Sequence, residues 1–418
     1  MSLTAVVVGA GFAGLNAAKR LANADNLRVV LVDRRNHHLF QPLLYQVATA
    51  GLNPSDIAVP IRVQFRHAPN VQIHLGLVDG VDLRKQAVFG DGSVLAFDYL
   101  ILACGANHSY FAHPEWEEYA PGLKTLEQAT EMRRRMLVAF ERAENELDPD
   151  KQRAYLTFVV VGGGPTGVEL AGAIADISRT AMAGDFRRID PSKAHIVLLE
   201  AAPRVLTTFS EELSERARRD LAALGVDVRT AAKVEAIDAD GVTIGSDKLA
   251  AKTVLWAAGV QAERLAIAPP VATDRALRIK VNPDCSIPGH PNVFAVGDMA
   301  SLEMAPGRLV PGVAPAAIQT GEHAAQMILN DMTGTPRRPF VYRDKGTMAT
   351  IGKSRAVGQI GRISLTGRIA WFAWLLIHVY QLIGFRNRIA VVSNWAWNYM
   401  FSRREARLIT DKEWKLRN

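Results

Sequence analysis

The residues best suited to chemistry come as two sets of glycines, each followed by a carboxylate. Gly9, Gly11 and Gly14, with Phe12 and Ala13 between them, precede Asp33; Gly162, Gly164 and Gly167 precede Glu200. In a G-x-G-x-x-G loop the first glycine permits a tight turn, the second lets backbone approach a pyrophosphate, and the third lets a helix pack closely on a strand. The helix that follows offers unpaired N–H groups to phosphate, and an acid ending the next strand can accept ribose hydroxyl protons. Two dinucleotides are therefore expected on this chain. A carboxylate at Glu200 repels a 2′-phosphate, which favours NAD over NADP at the second site. Glu169, two residues past Gly167, is expected in the first turn of the second helix. Its plainer role there is an acid that complements a helix amino terminus.

Each set needs the same scaffold. Apolar runs at 4–8 and 158–161 lead into the glycines, and runs at 29–32 and 196–199 lead into the acids. Strand, glycine turn, helix and acid-tipped strand compose one βαβ unit. Asp33 stands nineteen residues past Gly14, the usual spacing, whereas Glu200 stands 33 past Gly167, so 178–194 is expected as an inserted loop. Further strands end in glycine turns at 99–106 and at 253–260, which carries Gly259, and the run 292–298 ends in Gly297-Asp298. An Asp at the carboxyl end of such a strand can meet the phosphates or ribityl chain of a flavin dinucleotide held by the first fold. The expected class is α/β, with two Rossmann-like dinucleotide-binding domains, the second inserted in the first, and a C-terminal amphipathic helical membrane-binding region. The boundaries drawn are 1–118 with 271–340, then 119–270, then 341–418. Between the folds, 124–146 places Leu126, Ala129, Met132, Met136, Leu137 and Phe140 on one side and charges opposite, an amphipathic packing helix.

Charge separates the tail from the rest. The 418 residues carry a net charge of +7, yet 353–418 alone holds 12 Lys or Arg against 3 Asp or Glu. Residues 1–352 are thus slightly acidic, and nucleic acid is not an expected partner. From Ile369 to Phe385 no Lys, Arg, Asp or Glu occurs. As a helix this run is about 25 Å long, short of the roughly 30 Å core of a bilayer. Arg386 and Arg388 follow, then 389–401 with Trp395, Trp397 and Tyr399, then Arg403, Arg404 and Arg407; four of the seven tryptophans lie between 371 and 397. Apolar helices flanked by arginine and set with Trp and Tyr suit a chain lying in the membrane interface against anionic lipid. The competing reading is a buried helix at a subunit contact, and in a dimer both hold. Cys104 and Cys285 are the only cysteines, without a C-x-x-C, so no disulfide framework, metal site or dithiol centre is expected. No basic leader or cleavage site precedes the first strand, so no signal or transit peptide is expected.

Four motifs carry a resemblance: 38–49 (HLFQPLLYQVAT), 162–169 (GGGPTGVE), 314–321 (APAAIQTG) and 344–352 (DKGTMATIG). In this order and spacing the chain closely resembles, over nearly its whole length, the type II NADH dehydrogenases, or type II NADH:quinone oxidoreductases, of the two-dinucleotide-binding-domain flavoprotein family. The resemblance implies FAD in the first fold, held by Gly9, Gly11, Phe12, Ala13, Gly14, Asp33, Gln41, Val78, Asp298, Ala314, Pro315 and Lys345. It implies NADH in the second, held by Gly162, Gly164, Gly167, Glu200 and Gly259. Catalytic roles fall to Glu169, between the NADH and quinone sites, to Lys345 near the flavin, and to Gln319 at the quinone. Negative charge on a reduced flavin is stabilised by a cation and by a helix amino terminus. Lys345 supplies the first, and the helix starting near Pro315 supplies the second. One departure is plain: Pro315 stands where the family's Ala-Gln-x-Ala-x-Gln carries its first glutamine, which bears on quinone type and affinity.

The function expected is two-electron transfer from NADH through FAD to a quinone. Proton pumping is not expected, since no series of intramembrane carboxylates or lysines is visible. The resemblance places a homodimer peripherally on the cytoplasmic side of the cell inner membrane. The alternatives are an NADH-binding flavoprotein sensor and an NADH oxidoreductase with another electron acceptor. A sulfide:quinone oxidoreductase needs paired redox cysteines, and a soluble ferredoxin reductase lacks such a tail.

Overall fold

The computed structural model describes residues 2–401 and 406–410; Arg403 and Arg404 of the basic tail, and 411–418, lie outside the described residues. The chain is α/β and forms two compact units. One takes 1–39, 58–107 and 260–345; the other takes 40–57, 108–259 and 346–418.

A six-stranded sheet organises the first unit, in the order Ser286–Ile287, His290–Ala295, Tyr99–Leu102, Leu3–Val8, Leu27–Asp33, Val71–Leu75. All neighbours are parallel except the first pair. Strands buried on both faces read as unbroken apolar runs rather than alternation, which is why 5–8 and 29–32 are so uniformly hydrophobic. Because successive side chains point to opposite faces, Val6, Val8, Val30, Val32, Leu100 and Leu102 share one side. They form a single core with Val81 and Val88 of a smaller four-stranded sheet. Burying each such side chain stabilises the fold by roughly 1.5–3 kcal/mol. The His290–Ala295 strand pairs with Tyr99–Leu102, so the chain completes this sheet only after the whole of 108–259 has intervened.

The second unit repeats the plan with four parallel strands, Val226–Arg229, His195–Leu199, Thr157–Val161 and Thr253–Trp256. Val159, Val161, Val197, Leu199, Val254 and Trp256 share a core with a three-stranded antiparallel sheet running from Val234 to Ala250. The expected inserted loop begins as a π-turn, Ile177–Ala181, and ends in a 3-10 turn, Pro191–Lys193. Glu144 ties it down by accepting the N–H groups of Arg187, Arg188 and Ile189. The expected packing helix spans Leu126–Asn145, with Thr125 capping it by accepting the Gln128 N–H. One of its charges is not on the wet side. Arg133 is buried, and its guanidinium donates to the carbonyls of Val47, Leu52 and Ala406.

The same unit ends in a three-stranded antiparallel sheet, Thr347–Thr350, Ala356–Ile360 and Ile363–Thr366, then helices Gly367–Gln381 and Phe385–Phe401. The uncharged run expected at 369–385 is broken before its end, where Gly384 takes a φ of 91°. Among the described residues, no helix is long and apolar enough to cross a membrane.

Candidate functional site

In the first unit the glycines leave no choice of side chain. Gly9 has a φ of 99°, and a Cβ there would lie 2.3 Å from the Ala103 carbonyl oxygen. A Cβ on Gly14 would lie 1.7 Å from the Gly9 carbonyl oxygen. Gly11, in contrast, has nothing within 4 Å of its Cβ position, so its backbone faces open space. It precedes the helix Phe12–Leu21 without any side-chain cap, which leaves the first N–H groups available to an anion. Asp33 reaches back to the loop: Oδ2 accepts the Ala10 N–H at 2.6 Å and Oδ1 the Arg35 N–H at 2.7 Å. His38, buried and pushed below its ordinary pKa by loss of water, donates from Nδ1 to the Ala10 carbonyl at 2.9 Å. Phe12 packs edge-on against its ring.

The later segments close on this loop. Gly297 sits against Ala13 and Ala317, with its Cβ position 3.2 Å and 3.4 Å from their Cβ atoms. Asp298, in the turn Gly297–Met299, is thereby brought to the loop, as is the start of the helix Ala314–Thr333. That helix has Pro315 in its first turn and no side-chain cap. Val78 packs on the unit's apolar core. An open backbone at Gly11, two uncapped helix starts and a carboxylate pinned to the turn fit a flavin dinucleotide.

The second unit repeats the cradle down to its hydrogen bonds. Gly162 has a φ of 109°, and its Cβ position is 2.7 Å from Ala257 backbone; that of Gly167 is 1.8 Å from the Gly162 carbonyl oxygen; Gly164 is open. Glu200 Oε2 accepts the Gly163 N–H at 2.6 Å and Oε1 the Ala202 N–H at 2.7 Å. Gly259, with a φ of 70°, ends the last strand of this sheet, and a Cβ there would meet the Ser109 carbonyl at 2.5 Å and the Phe111 ring at 2.7 Å.

Glu169 differs from expectation. The helix begins at Pro165 and carries no acid in its first turn, so Glu169 lies just beyond that turn and does not serve the helix amino terminus. Thr350 is its partner instead, donating its N–H to Oε1 at 3.3 Å. The residue keeps an accessible fraction, yet protein crowds its carboxyl, and loss of water pushes it up to about 8 against the two hydrogen bonds from Thr350. A carboxyl titrating near neutrality can give and retake a proton.

Gln319 and Lys345 belong to the first unit, where Gln319 is already engaged. Its amide donates to the Arg343 carbonyl at 3.0 Å and accepts the Arg343 N–H at 2.9 Å. It therefore holds the strap that carries Lys345, which is exposed and in no ion pair among the described residues. Gln41 belongs to the second unit, and its amide donates to the Lys124 carbonyl at 3.3 Å. Cys104 and Cys285 form no disulfide, and Cys285 is buried while Cys104 is partly so. Burial pushes the Cys104 thiol up to about 12 and the Cys285 thiol higher than its ordinary value, and a thiol that stays protonated is a poor nucleophile.

The two C-terminal helices expose an apolar face. Ile369 is 72 % exposed, Leu376 73 % and Tyr380 78 %, spaced as one side of a helix, with Phe372 among them. On the second helix Phe385, Ile389, Val392 and Met400 are exposed as well. Trp374 faces the other way, buried and stacked on His378 at 4.0 Å.

Comparison with known proteins agrees with this geometry. Residues 3–321 match the pyridine nucleotide-disulphide oxidoreductase family, and 345–404 match the NDH2 C-terminal domain. A type II NADH:quinone oxidoreductase of Mycobacterium tuberculosis is 44% identical over 98% of this chain and 90% of its own length. One from Staphylococcus haemolyticus is 28% identical over 88% of this chain and 92% of its own. Among solved structures, NDH2 of Plasmodium falciparum in complex with NADH superposes with a TM-score of 0.89 at 19% identity, covering 98% of this chain and 100% of that one. The chain belongs to the pyridine nucleotide-disulphide oxidoreductase family and, within it, to the type II NADH:quinone oxidoreductases.

Proposed function

We propose that this protein oxidises NADH and reduces a quinone by two-electron transfer through FAD, without moving protons across the membrane. FAD, once bound, supplies the hydride-accepting and electron-donating centre. Gly9, Gly11 and Gly14 with the helix start at Phe12 would hold its pyrophosphate, Asp33 its ribose, and Asp298 its central chain, while Val78 borders the adenine. Lys345 and the start of the Ala314 helix would offset negative charge on the reduced ring. Gln319 acts as a positioning residue for the Lys345 strap. In the other unit, Gly162, Gly164 and Gly167 would hold the NADH pyrophosphate, Glu200 the ribose hydroxyls, and Gly259 leaves room at the strand end. Glu169 would give a proton to the quinone oxygen.

The observation that carries this reading is the repeated carboxylate-to-loop bonding, Asp33 to Ala10 and Glu200 to Gly163, in two separate units. Steady-state assay tests it: NADH oxidation should depend on added quinone and prefer NADH to NADPH, and turnover in sealed vesicles should not acidify them. Quinone-independent turnover at the same rate would point instead to another acceptor.

The apolar face of the two terminal helices supports peripheral attachment to lipid; the cytoplasmic side and a homodimer are part of the proposal on the family resemblance alone. Phe372→Asp with Leu376→Asp should release the protein from anionic vesicles in sedimentation. Retention of the double variant would remove this face as the anchor.

A further inference from the structure

The hydrogen bonds around Glu169 do not stop at Thr350. Within the second unit, Thr350 Oγ1 lies 2.9 Å from Tyr45 Oη, Gln46 Nε2 donates to Tyr45 Oη at 3.0 Å, and Trp395 Nε1 donates to Gln46 Oε1 at 2.7 Å. The far end of this line sets the direction of its hydrogens. An indole N–H only donates, so the Gln46 oxygen is the acceptor and its amide nitrogen the donor towards Tyr45. With Gln46 donating to the phenol oxygen, the Tyr45 O–H is able to donate to Thr350, and the Thr350 hydroxyl to the Glu169 carboxyl, with which it shares a side-chain hydrogen bond. Tyr45 is 7% exposed and Thr350 3%, so neither lies on the outer surface.

A cavity of about 110 Å³ runs alongside, bordered by Tyr45, Gln46, Thr350, Asp176, Lys353 and Trp395. Its volume has room for several water molecules, and Tyr45, Gln46, Thr350 and Asp176 give them polar partners within a mainly apolar lining. Tyr45, Asp176, Lys353 and Tyr399 are the ionisable groups on its wall. Glu169 itself is in no ion pair among the described residues.

We propose that Thr350 and Tyr45 are positioning residues that return a proton from this cavity to Glu169 after Glu169 has protonated the quinone. The proposal rests on the reading of Glu169 as the quinone's proton donor. The balance is simple. Converting a quinone to a quinol takes two electrons and two protons, and the hydride of NADH brings both electrons and one proton. For the second proton, the Glu169 O–H bond breaks as a quinone O–H bond forms. The carboxylate then takes the Thr350 hydroxyl proton, Thr350 takes the Tyr45 phenol proton, and Tyr45 takes one from a hydrated proton in the cavity. No other reactant is needed. Trp395 and Gln46 do not carry the proton; they hold the phenol in the orientation that lets it pass.

The test uses the full-length, FAD-loaded enzyme, reduced by NADH and mixed with a short-chain quinone in H2O and in D2O. Alongside, infrared difference spectra follow the protonated carboxyl band that Glu169→Gln removes. Thr350→Val should slow the quinone half-reaction about tenfold or more, enlarge the solvent isotope effect and delay recovery of that band. Thr350→Ser, which keeps the hydroxyl, should behave as the parent, and Tyr45→Phe should follow Thr350→Val. Reduction by NADH should be unchanged in all three. The relay is overturned if the Val and Ser variants behave alike, or if Tyr45→Phe leaves rate, isotope effect and band recovery unaltered while Glu169→Gln is slow. If Glu169→Gln itself is as fast as the parent, the donor reading falls and the relay with it.

Discussion

The two glycine cradles are nearly superposable in their local chemistry and differ in what is added to them. In both, the first glycine has a left-handed φ and the third lies against the carbonyl of the first. In both, the second faces open space, and a carboxylate binds one loop N–H and the N–H two residues ahead of itself. Around the first loop the chain adds Asp298 and a second uncapped helix start. On the second it adds Glu169, half-buried and bonded to Thr350. The cradle thus makes a dinucleotide site in each unit, and the two differ in what stands beside it: a carboxylate and a helix start in one, a carboxyl held by Thr350 in the other.

Substitutions that touch corresponding positions should separate the two most sharply. Gly14→Val forces atoms into the Gly9 carbonyl and Gly167→Val into the Gly162 carbonyl. The first should yield colourless protein, and the second a yellow protein that NADH no longer bleaches, as read in the visible spectrum. Loss of flavin from both would merge the two roles. Next come the acids. A hydrogen bond to a charged group is worth about 1.5–3 kcal/mol, so Glu200→Ala should raise the NADH KM by roughly ten- to a hundredfold and relax rejection of NADPH. Asp33→Ala should weaken FAD retention on dilution while leaving the NADH KM of the loaded fraction unchanged. A smaller effect is expected of Lys345→Met, which should slow turnover severalfold at constant FAD content.

Stability should respond to pH through groups of the second unit. The Glu169 carboxyl is raised from 4.5 to about 8 in the folded protein. Between those values the folded state holds more protons than the unfolded one, so this group makes stability fall as pH rises. His378 runs the other way: burial lowers it from 6.5 to about 4, so the stability tied to its neutral form is lost as pH falls through that window. Denaturant midpoints should fall less steeply with rising pH between 4.5 and about 8 in Glu169→Gln, and an unchanged slope there would contradict the assignment.

Much of this was legible in the sequence, because the cradle is local. Glycines, acids and apolar strands fall within some forty residues of one another, and strand periodicity reports burial directly. Contacts between distant residues were not legible. Thr350 lies 181 positions from Glu169, and Tyr45 lies 305 from Thr350, so nothing in the spacing of either motif announces that they meet. Helical periodicity set the charges of 124–146 opposite its apolar side without singling out Arg133, whose three carbonyl partners come from other segments. Gln319 was assigned to the quinone by the family resemblance, and the motif gave no sign that its amide also bonds the Arg343 backbone 24 residues away. The tail's interfacial character followed from composition; its division into two helices at Gly384 depended on one positive φ.

The most direct test is an anaerobic titration of the purified, flavin-loaded protein with NADH, followed by a short-chain quinone, watched in the visible spectrum. The account predicts that NADH bleaches the flavin completely, that NADPH does so poorly, and that quinone restores the absorbance within the turnover time. A flavin that NADH fails to bleach, or bleached flavin that quinone does not restore, would contradict it.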